Sequence, residues 1–402
     1  MTAPMPRLVP LACLLALLLA PAAAQAAGRT GTVRALSAQM RQAGAGSGAY
    51  VVDLQSGRKL YSIRAGTPRM PASVEKLYTS ATALRRMGPA ARLATEALAE
   101  TAPAAGVVRG DLYLRGSGDP NFDVVDSSNL AQQVAQAGIR RITGRVIGDE
   151  TAFDTRRGVP SSGFALSSDV GGPLSALTFN RGRTGRSAPY FQNRPANFAA
   201  TFFAKQLRHL GVDVARGARR GRTVTEAVPV GAWRSAPLAD LLRQMNQPSD
   251  NFMAETLIKV VGSRYGGAGS TAAGAQVATD ELGELGMSPR IVDGSGLSRS
   301  DRTSPSDVVT LLEELQGDAA FTGSLAVAGR SGTIAGRMRG TAAQDRCRAK
   351  TGTLRDVSAL AGYCSTRFGG QVAFAFLMNY VNPWSARVLQ DRMAIALANY
   401  RP

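Results

Sequence analysis

The sequence Ser73-Val74-Glu75-Lys76 stands at the start of a segment that is predicted to be helical as far as Gly88. A serine at a helix N-terminus lies at the positive end of the helix dipole, which favours a developing negative charge on its oxygen. The lysine three residues later lies on the same face, where its amine can reach that oxygen. A partly desolvated lysine has a lowered pKa and can act as a base. This spacing also occurs in many ordinary helices, so the motif alone is a weak signal.

The chain contains a single histidine, His209, in the amphipathic stretch 204–210. We expect it to be a surface residue of a helix. A Ser-His-Asp triad would need its base at that one position, and zinc peptidases need two or more histidines at set spacing. A hydrolase with this sequence therefore needs a different base, and we expect neither a metal nor a cofactor.

Two further motifs strengthen the first. Ser249-Asp250-Asn251 opens another predicted helix, and Lys350-Thr351-Gly352 lies on a predicted strand near the C-terminus. Each has an ordinary alternative, since Ser249 could be a plain N-cap and Lys350 an exposed strand lysine. In this order, Ser-x-x-Lys, Ser-x-Asn and Lys-Thr-Gly form the signature of serine β-lactamases and penicillin-binding proteins. Their joint occurrence indicates a serine hydrolase with Ser73 as nucleophile.

The chain resembles the low-molecular-mass class C penicillin-binding proteins, the D-alanyl-D-alanine carboxypeptidase/endopeptidase family, over most of residues 48–400. It departs from that family between Asn180 and Pro195, where only fourteen residues stand in place of a longer segment, and at 163–172, where an aromatic-rich stretch is reduced. Outside the three motifs, the resemblance is carried by residues 110–114, 118–120, 172–180, 293–299, 349–354 and 359–363.

The resemblance implies an α/β (α+β) fold, in which a β-lactamase/transpeptidase-like domain has its sheet flanked by helices and carries an inserted accessory α/β region. The predicted elements agree, because strand-like runs near both ends of the chain enclose a series of helices, which suggests one sheet assembled from both termini. We expect a catalytic domain at 27–93 and 234–402. The accessory region, 94–233, is shortened relative to the family, and whether it still contacts substrate is left open.

The resemblance also implies an acyl-enzyme mechanism on peptidoglycan stem peptides. Ser73 attacks the carbonyl between two D-alanines, and Lys76 takes its proton. Ser249 relays a proton to the leaving amine, and Asn251 holds the amide of the donor peptide. Water then releases the acyl-enzyme, whereas a β-lactam leaves a long-lived one.

Substrate-binding roles follow from the same resemblance. Lys350 and Thr351 bind the terminal carboxylate, and Gly352 lets the substrate lie along the strand edge as an added strand. The backbone N–H groups of Ser73 and Thr353 form the oxyanion hole. Further candidates for binding the stem peptide are Arg299 and Arg355, which could equally be solvated surface arginines, and Asp169, for the free amino end.

Two cysteines, Cys347 and Cys364, remain once Cys13 is removed with the predicted leader. Two thiols in an oxidising compartment predict one disulfide. If the chain turns near Arg355-Asp356, the two cysteines lie opposite each other on antiparallel strands, within disulfide range. Arg-Asp is not a favoured two-residue hairpin turn, so a slipped register remains an alternative.

Residues 1–26 are expected to be a signal peptide, because Arg7 precedes the apolar run 8–20 and Ala24-Gln25-Ala26 fits the cleavage pattern. We therefore expect a protein exported to the periplasm or cell wall, without a stable membrane anchor. The formal net charge is +18. In an exported protein this charge favours an anionic cell wall over nucleic acid as partner, the alternative being a coding bias toward arginine.

Two other functions fit parts of the pattern. A serine β-lactamase is disfavoured, because the 176 positions from Ser73 to Ser249 exceed what a compact β-lactamase needs, and no glutamate stands out to activate a deacylating water. A non-catalytic cell-wall scaffold is disfavoured by the intact motifs. The sequence leaves open carboxypeptidase against endopeptidase activity, the diamino acid of the substrate and the oligomeric state.

Overall fold

The structure, a computed structural model, describes residues 28–184 and 190–402. The predicted signal peptide and Cys13 lie outside the described residues. The α-helices are α1 Arg29–Gln42, α2 Lys76–Met87, α3 Val124–Gln136, α4 Pro195–His209, α5 Leu238–Asn246, α6 Asn251–Tyr265, α7 Thr271–Glu284, α8 Pro305–Glu314, α9 Ala319–Ser324 and α10 Pro383–Ala398.

The β-strands begin with the hairpin β1 Ser47–Asp53 and β2 Arg58–Ile63. The middle of the chain contributes β3 Ala94–Ala99, β4 Val107–Val108, β5 Leu112–Gly116, β6 Arg141–Ile142, β7 Val146–Asp149, β8 Asp213–Val214, β9 Ala218–Arg220 and β10 Val228–Arg234. The last part contributes β11 Ala326–Val327, β12 Cys347–Leu354, β13 Val357–Ser365 and β14 Gln371–Asn379.

Strands from the two ends of the chain form one antiparallel sheet in the order β11-β12-β13-β14-β1-β2. Side chains alternate between its faces, as they do in any strand. Ala359 and Tyr363 of β13 pack into the core that contains α2 and α8, whereas Leu360 and Cys364 pack into the core that contains α1 and α10. Because helices cover both faces, the central strands β13 and β14 are buried along nearly their whole length and are mostly apolar. The single sheet predicted from both termini is thus found.

Two smaller sheets, ordered β10-β3-β5-β7-β9 and β4-β6-β8, contain only strands that lie between residues 94 and 234. With α3 and α4 they enclose a core of their own, which includes Leu112 and Phe203. Ala94 and Arg234 are direct partners in the β3–β10 ladder, so this segment leaves and re-enters the rest of the chain at one place. The arrangement supports the proposed accessory region at 94–233.

The ladder between β12 and β13 runs without a register shift from Cys347, opposite Cys364, to Leu354, opposite Val357. Arg355 and Asp356 make the two-residue connection. The two cysteines form a disulfide, which is buried beneath α10. The slipped register considered from the sequence is therefore not adopted. Within residues 28–184 and 190–402, no helix combines the length and apolar character needed to cross a bilayer.

Candidate active site

Ser73 lies in a 3-10 turn, Ala72–Glu75, that leads directly into α2 at Lys76. The sequence predicted a helix that begins near Ser73. The α-helix itself begins at Lys76, and Ser73 lies in the 3-10 turn just before it. Ala72 adopts a positive φ of 47°, a region that non-glycine residues enter at a cost. Ser73 is half-buried while its neighbours are buried, so the strained turn presents one hydroxyl to solvent.

The amine of Lys76 is fully buried and has three acceptors. It donates to the Ser73 hydroxyl at 3.0 Å, the Asn251 side-chain oxygen at 2.7 Å and the Ser295 carbonyl at 2.7 Å. Burial lowers the pKa of Lys76 to about 8, while acidic neighbours, Asp293 first among them, oppose that change. At neutral pH a substantial minority of molecules then carry the neutral amine, which can accept the serine proton.

Four buried carboxyl groups lie behind Lys76. Burial, reinforced by the charge of Asp293, raises the pKa of Glu75 well above its ordinary range and that of Glu255 to about 8. The same two causes raise the pKa of Asp301 to about 11. Asp293 itself accepts backbone N–H groups of Gly296 at 2.7 Å and of Ser298 at 2.7 Å. It thereby shapes the 293–299 loop, which brings the Ser295 carbonyl to Lys76.

Ser249 and Lys350 form a second hydroxyl–amine pair. Lys350 is fully buried and donates to the Ser249 hydroxyl at 2.7 Å and to the Thr351 carbonyl at 2.9 Å. Burial, with a further contribution from the nearby Lys76 charge, holds the pKa of Lys350 well below its ordinary range. The N-cap of α6 is Asp250 and not Ser249. The two ordinary alternatives, a plain N-cap serine and an exposed strand lysine, are therefore wrong.

Asn251 joins the site at the start of α6. Its side-chain oxygen accepts from Lys76, and its side-chain N–H donates to the Asp169 carbonyl at 2.8 Å. The amide that was expected to hold the donor peptide is thus already engaged by groups of the protein. A substrate amide has to share these contacts or replace the one to Asp169.

Gly352 also has a structural reason that the sequence did not indicate. A Cβ atom there would lie 2.5 Å from the Pro71 carbonyl and 3.2 Å from the Ala72 side chain. The glycine is therefore required for β12 to pack against the turn that carries Ser73. In the described part of the chain, β11 pairs only with Arg348 and Ala349, so the strand from Lys350 onward has a free edge beside the serine.

A cavity of about 630 Å³ opens above this edge. One wall contains the motif residues Ser73, Ser249, Asn251, Thr351 and Thr353. The rest of the lining, which sequence reasoning missed, is formed by Thr333, Gly336, Arg337, Trp384, Arg387, Val388 and Asp391. The α10 members are three or four positions apart, so they share one helix face. That periodicity was visible in the sequence, but nothing indicated that the face meets the serine.

The three candidate residues for the stem peptide do not line this cavity. Arg299 makes a two-pronged ion pair with Asp356, at 2.7 and 3.1 Å, and its side chain is 52% exposed. Arg355 and Asp169 are exposed, and the Asp169 contact to the site is through its backbone carbonyl. His209 is an exposed residue at the end of α4, as predicted. The described residues contain no cluster of three or more His, Cys, Asp or Glu side chains suited to a metal ion.

Comparison with known proteins gives consistent matches. Residues 30–193 and 183–400 match the D-Ala-D-Ala carboxypeptidase 3 (S13) family of peptidases. The D-alanyl-D-alanine carboxypeptidase of Actinomadura sp. is 32% identical over 446 residues, which cover 89% of this chain and 82% of that protein. Carboxypeptidase DacB of Mycolicibacterium smegmatis is 31% identical over 384 residues, which cover 86% of this chain and 79% of that protein.

The fold is also found among solved structures. Penicillin-binding protein 4 (dacB) from Haemophilus influenzae superposes with a TM-score of 0.77 at 20% identity, covering 90% of this chain and 98% of that one. A predatory endopeptidase from Bdellovibrio bacteriovorus superposes with a TM-score of 0.56 at 18% identity, covering 88% and 92%. The resemblance and the fold class inferred from the sequence are confirmed: this chain belongs to the D-Ala-D-Ala carboxypeptidase 3 (S13) family of serine hydrolases.

Proposed function

We propose that this chain is a serine D-alanyl-D-alanine carboxypeptidase/endopeptidase, which cleaves peptidoglycan stem peptides through an acyl-enzyme on Ser73 and is inhibited by β-lactams. The observation that carries the proposal is the contact of the half-buried Ser73 hydroxyl with the buried Lys76 amine at 3.0 Å. Family membership and the names of the relatives support the same chemistry.

Acylation begins when neutral Lys76 takes the hydroxyl proton of Ser73 and the oxygen attacks the carbonyl of the penultimate D-alanine. The negative charge that develops on the carbonyl oxygen is stabilised by the backbone N–H groups of Ser73 and Thr353. One donor of this kind contributes about 3 kcal/mol to lowering the barrier. The peptide donor lies along the free edge of β12 as an added strand.

Breakdown of the tetrahedral adduct needs a proton on the leaving amine. Ser249 supplies it and receives in exchange the proton that Lys76 took from Ser73, so that Lys76 is neutral again. The Lys350 amine, which donates to the Ser249 hydroxyl at 2.7 Å, positions that hydroxyl. The C–N bond breaks, the amine leaves, and an ester remains on Ser73. Neutral Lys76 then takes a proton from the water that adds to the ester and returns it to the Ser73 oxygen as the ester C–O bond breaks, which releases the shortened peptide.

The cellular setting is part of the proposal. Export through the predicted signal peptide brings the enzyme to the periplasm, where peptidoglycan lies and where the disulfide can form. A relative named as a D-alanyl-D-alanine carboxypeptidase supports a cell-wall substrate. The net charge of +18 favours retention near an anionic wall.

The proposal is tested by incubating the purified protein with a peptide that ends in D-Ala-D-Ala and with a D-Ala-cross-linked peptide dimer. Release of D-alanine from the first measures carboxypeptidase activity, and appearance of monomer from the second measures endopeptidase activity. Both activities should be lost in Ser73→Ala and blocked by penicillin. Wild-type protein that is folded but cleaves neither substrate would contradict the proposal.

A further inference from the structure

Arg387 is a half-buried cation on the α10 wall of the cavity. Its guanidinium donates to the Thr353 hydroxyl at 3.2 Å and stacks on the Trp384 ring at 4.6 Å from the centroid. It makes no ion pair with any residue in the described part of the chain, whereas its neighbour Arg337 is paired with Asp391 at 2.8 Å. A guanidinium without a counterion at the edge of a substrate cavity is available to pair with an anionic group of a ligand.

The strand facing Arg387 presents two hydroxyl groups to the same cavity. Thr351 and Thr353 are two positions apart on β12, so they lie on one face about 7 Å apart. Because Arg387 donates to the Thr353 hydroxyl, that hydroxyl keeps its own hydrogen for an acceptor in the cavity. The Thr351 hydroxyl is 2.7 Å from that of Thr333. The subsite therefore offers hydroxyl donors beside an unpaired guanidinium.

The charge in this subsite comes from the arginine. Lys350 is fully buried, its amine is already bonded to Ser249 and to the Thr351 carbonyl, and burial holds its pKa well below the ordinary range. A guanidinium keeps its charge at any pH at which the protein is folded, and its planar fork suits a carboxylate. Arg387 is thus the cation available to an anionic group of the substrate.

We infer that Arg387 recognises the carboxylate of the leaving amino acid, acting with the hydroxyl groups of Thr351 and Thr353. The inference rests on the proposed function and deepens it, because it assigns the leaving-group specificity to a residue outside the three motifs. It extends the expected carboxylate site from Lys350 and Thr351 along the strand and across the cavity to α10. Trp384, stacked on Arg387, holds the guanidinium over the strand.

The test compares two substrates that differ only at the recognised group: an acetylated L-Lys-D-Ala-D-Ala peptide and the same peptide with a C-terminal carboxamide. In Arg387→Gln, kcat/KM for the carboxylate peptide should fall about 10- to 100-fold, the scale of one charge-assisted hydrogen bond. For the carboxamide it should change less than about threefold. Arg387→Lys, which keeps the charge, should retain part of the preference for the carboxylate.

Arg392→Gln is the matched control, since it removes the same charge from an exposed position of α10 and should leave both rates unchanged. Circular dichroism normalises every rate to folded protein. An equal loss on both substrates in folded Arg387→Gln, or no loss on either, overturns the inference while leaving the proposed function intact. Wild-type protein that cleaves neither substrate and is not labelled by penicillin overturns both.

Discussion

Acylation of Ser73 should depend on pH through Lys76, because only the neutral amine can take the serine proton. Burial lowers the pKa of Lys76 from 10.5 to about 8. At pH 7 about one molecule in ten then carries the neutral amine, against about one in three thousand for an ordinary lysine. The burial therefore raises the amount of competent base by two to three orders of magnitude, which corresponds to about 3 kcal/mol.

The assay is the second-order rate constant for acylation by a fluorescent penicillin, measured from pH 5.5 to pH 9.5. The rate should rise about tenfold per pH unit below pH 8 and level off above it. Glu75, Glu255, Asp293 and Asp301 share the buried surroundings of Lys76, so the break reports an apparent pKa of the coupled set. A profile that is flat between pH 6 and pH 9, or one that is still rising tenfold per pH unit at pH 9.5, would show that Lys76 is not the base.

Two further variants test the surroundings of the serine. Both carboxyl oxygens of Glu75 lack a hydrogen-bond partner within the described residues, and its pKa is raised far above 4.5. The folded state therefore keeps a proton that the unfolded state loses, so the contribution of Glu75 to wild-type stability falls as pH rises above 4.5. Glu75→Gln has no proton to lose at this position. The melting temperature of the variant minus that of wild type should therefore increase from pH 5 to pH 8. A difference that stays constant over this range would contradict the reasoning. Gly352→Ala should lose about 1–3 kcal/mol of unfolding free energy and acylate slowly, because its Cβ would strike the Pro71 carbonyl. Gly283→Ala, in α7 with open space around it, should instead be neutral or slightly stabilising, and equal melting temperatures for the two alanine variants would refute the packing argument.

The reactive groups were predictable from sequence, because each motif fixes its own local geometry. The three-residue spacing of Ser73 and Lys76 holds in any helical turn, so their contact survives the finding that the serine lies in a 3-10 turn. Strand-like runs near both ends of the chain predicted the central sheet, and the two cysteines predicted the disulfide. Local periodicity was sufficient for these features.

The features that were missed depend on contacts between distant parts of the chain. One of them is the ion pair between Arg299, a candidate for binding the stem peptide, and Asp356 in the β12–β13 turn. The glycine of the third motif is needed for contact with Pro71, which no spacing rule indicates. The α10 wall with Arg387 and Trp384 meets the serine only because the last helix packs beside β12. Helix α1 was also missed, and its buried positions face α10.

The measurement that tests the central claim most directly is labelling of wild type and Ser73→Ala with a fluorescent penicillin, followed by peptide mass mapping. We expect a stable adduct on Ser73 that is absent from the variant. An adduct that vanishes rapidly would indicate a β-lactamase, and the absence of any adduct on folded wild-type protein would indicate a scaffold without acylation chemistry. Either result would contradict the assignment of Ser73 as the nucleophile of a D,D-peptidase.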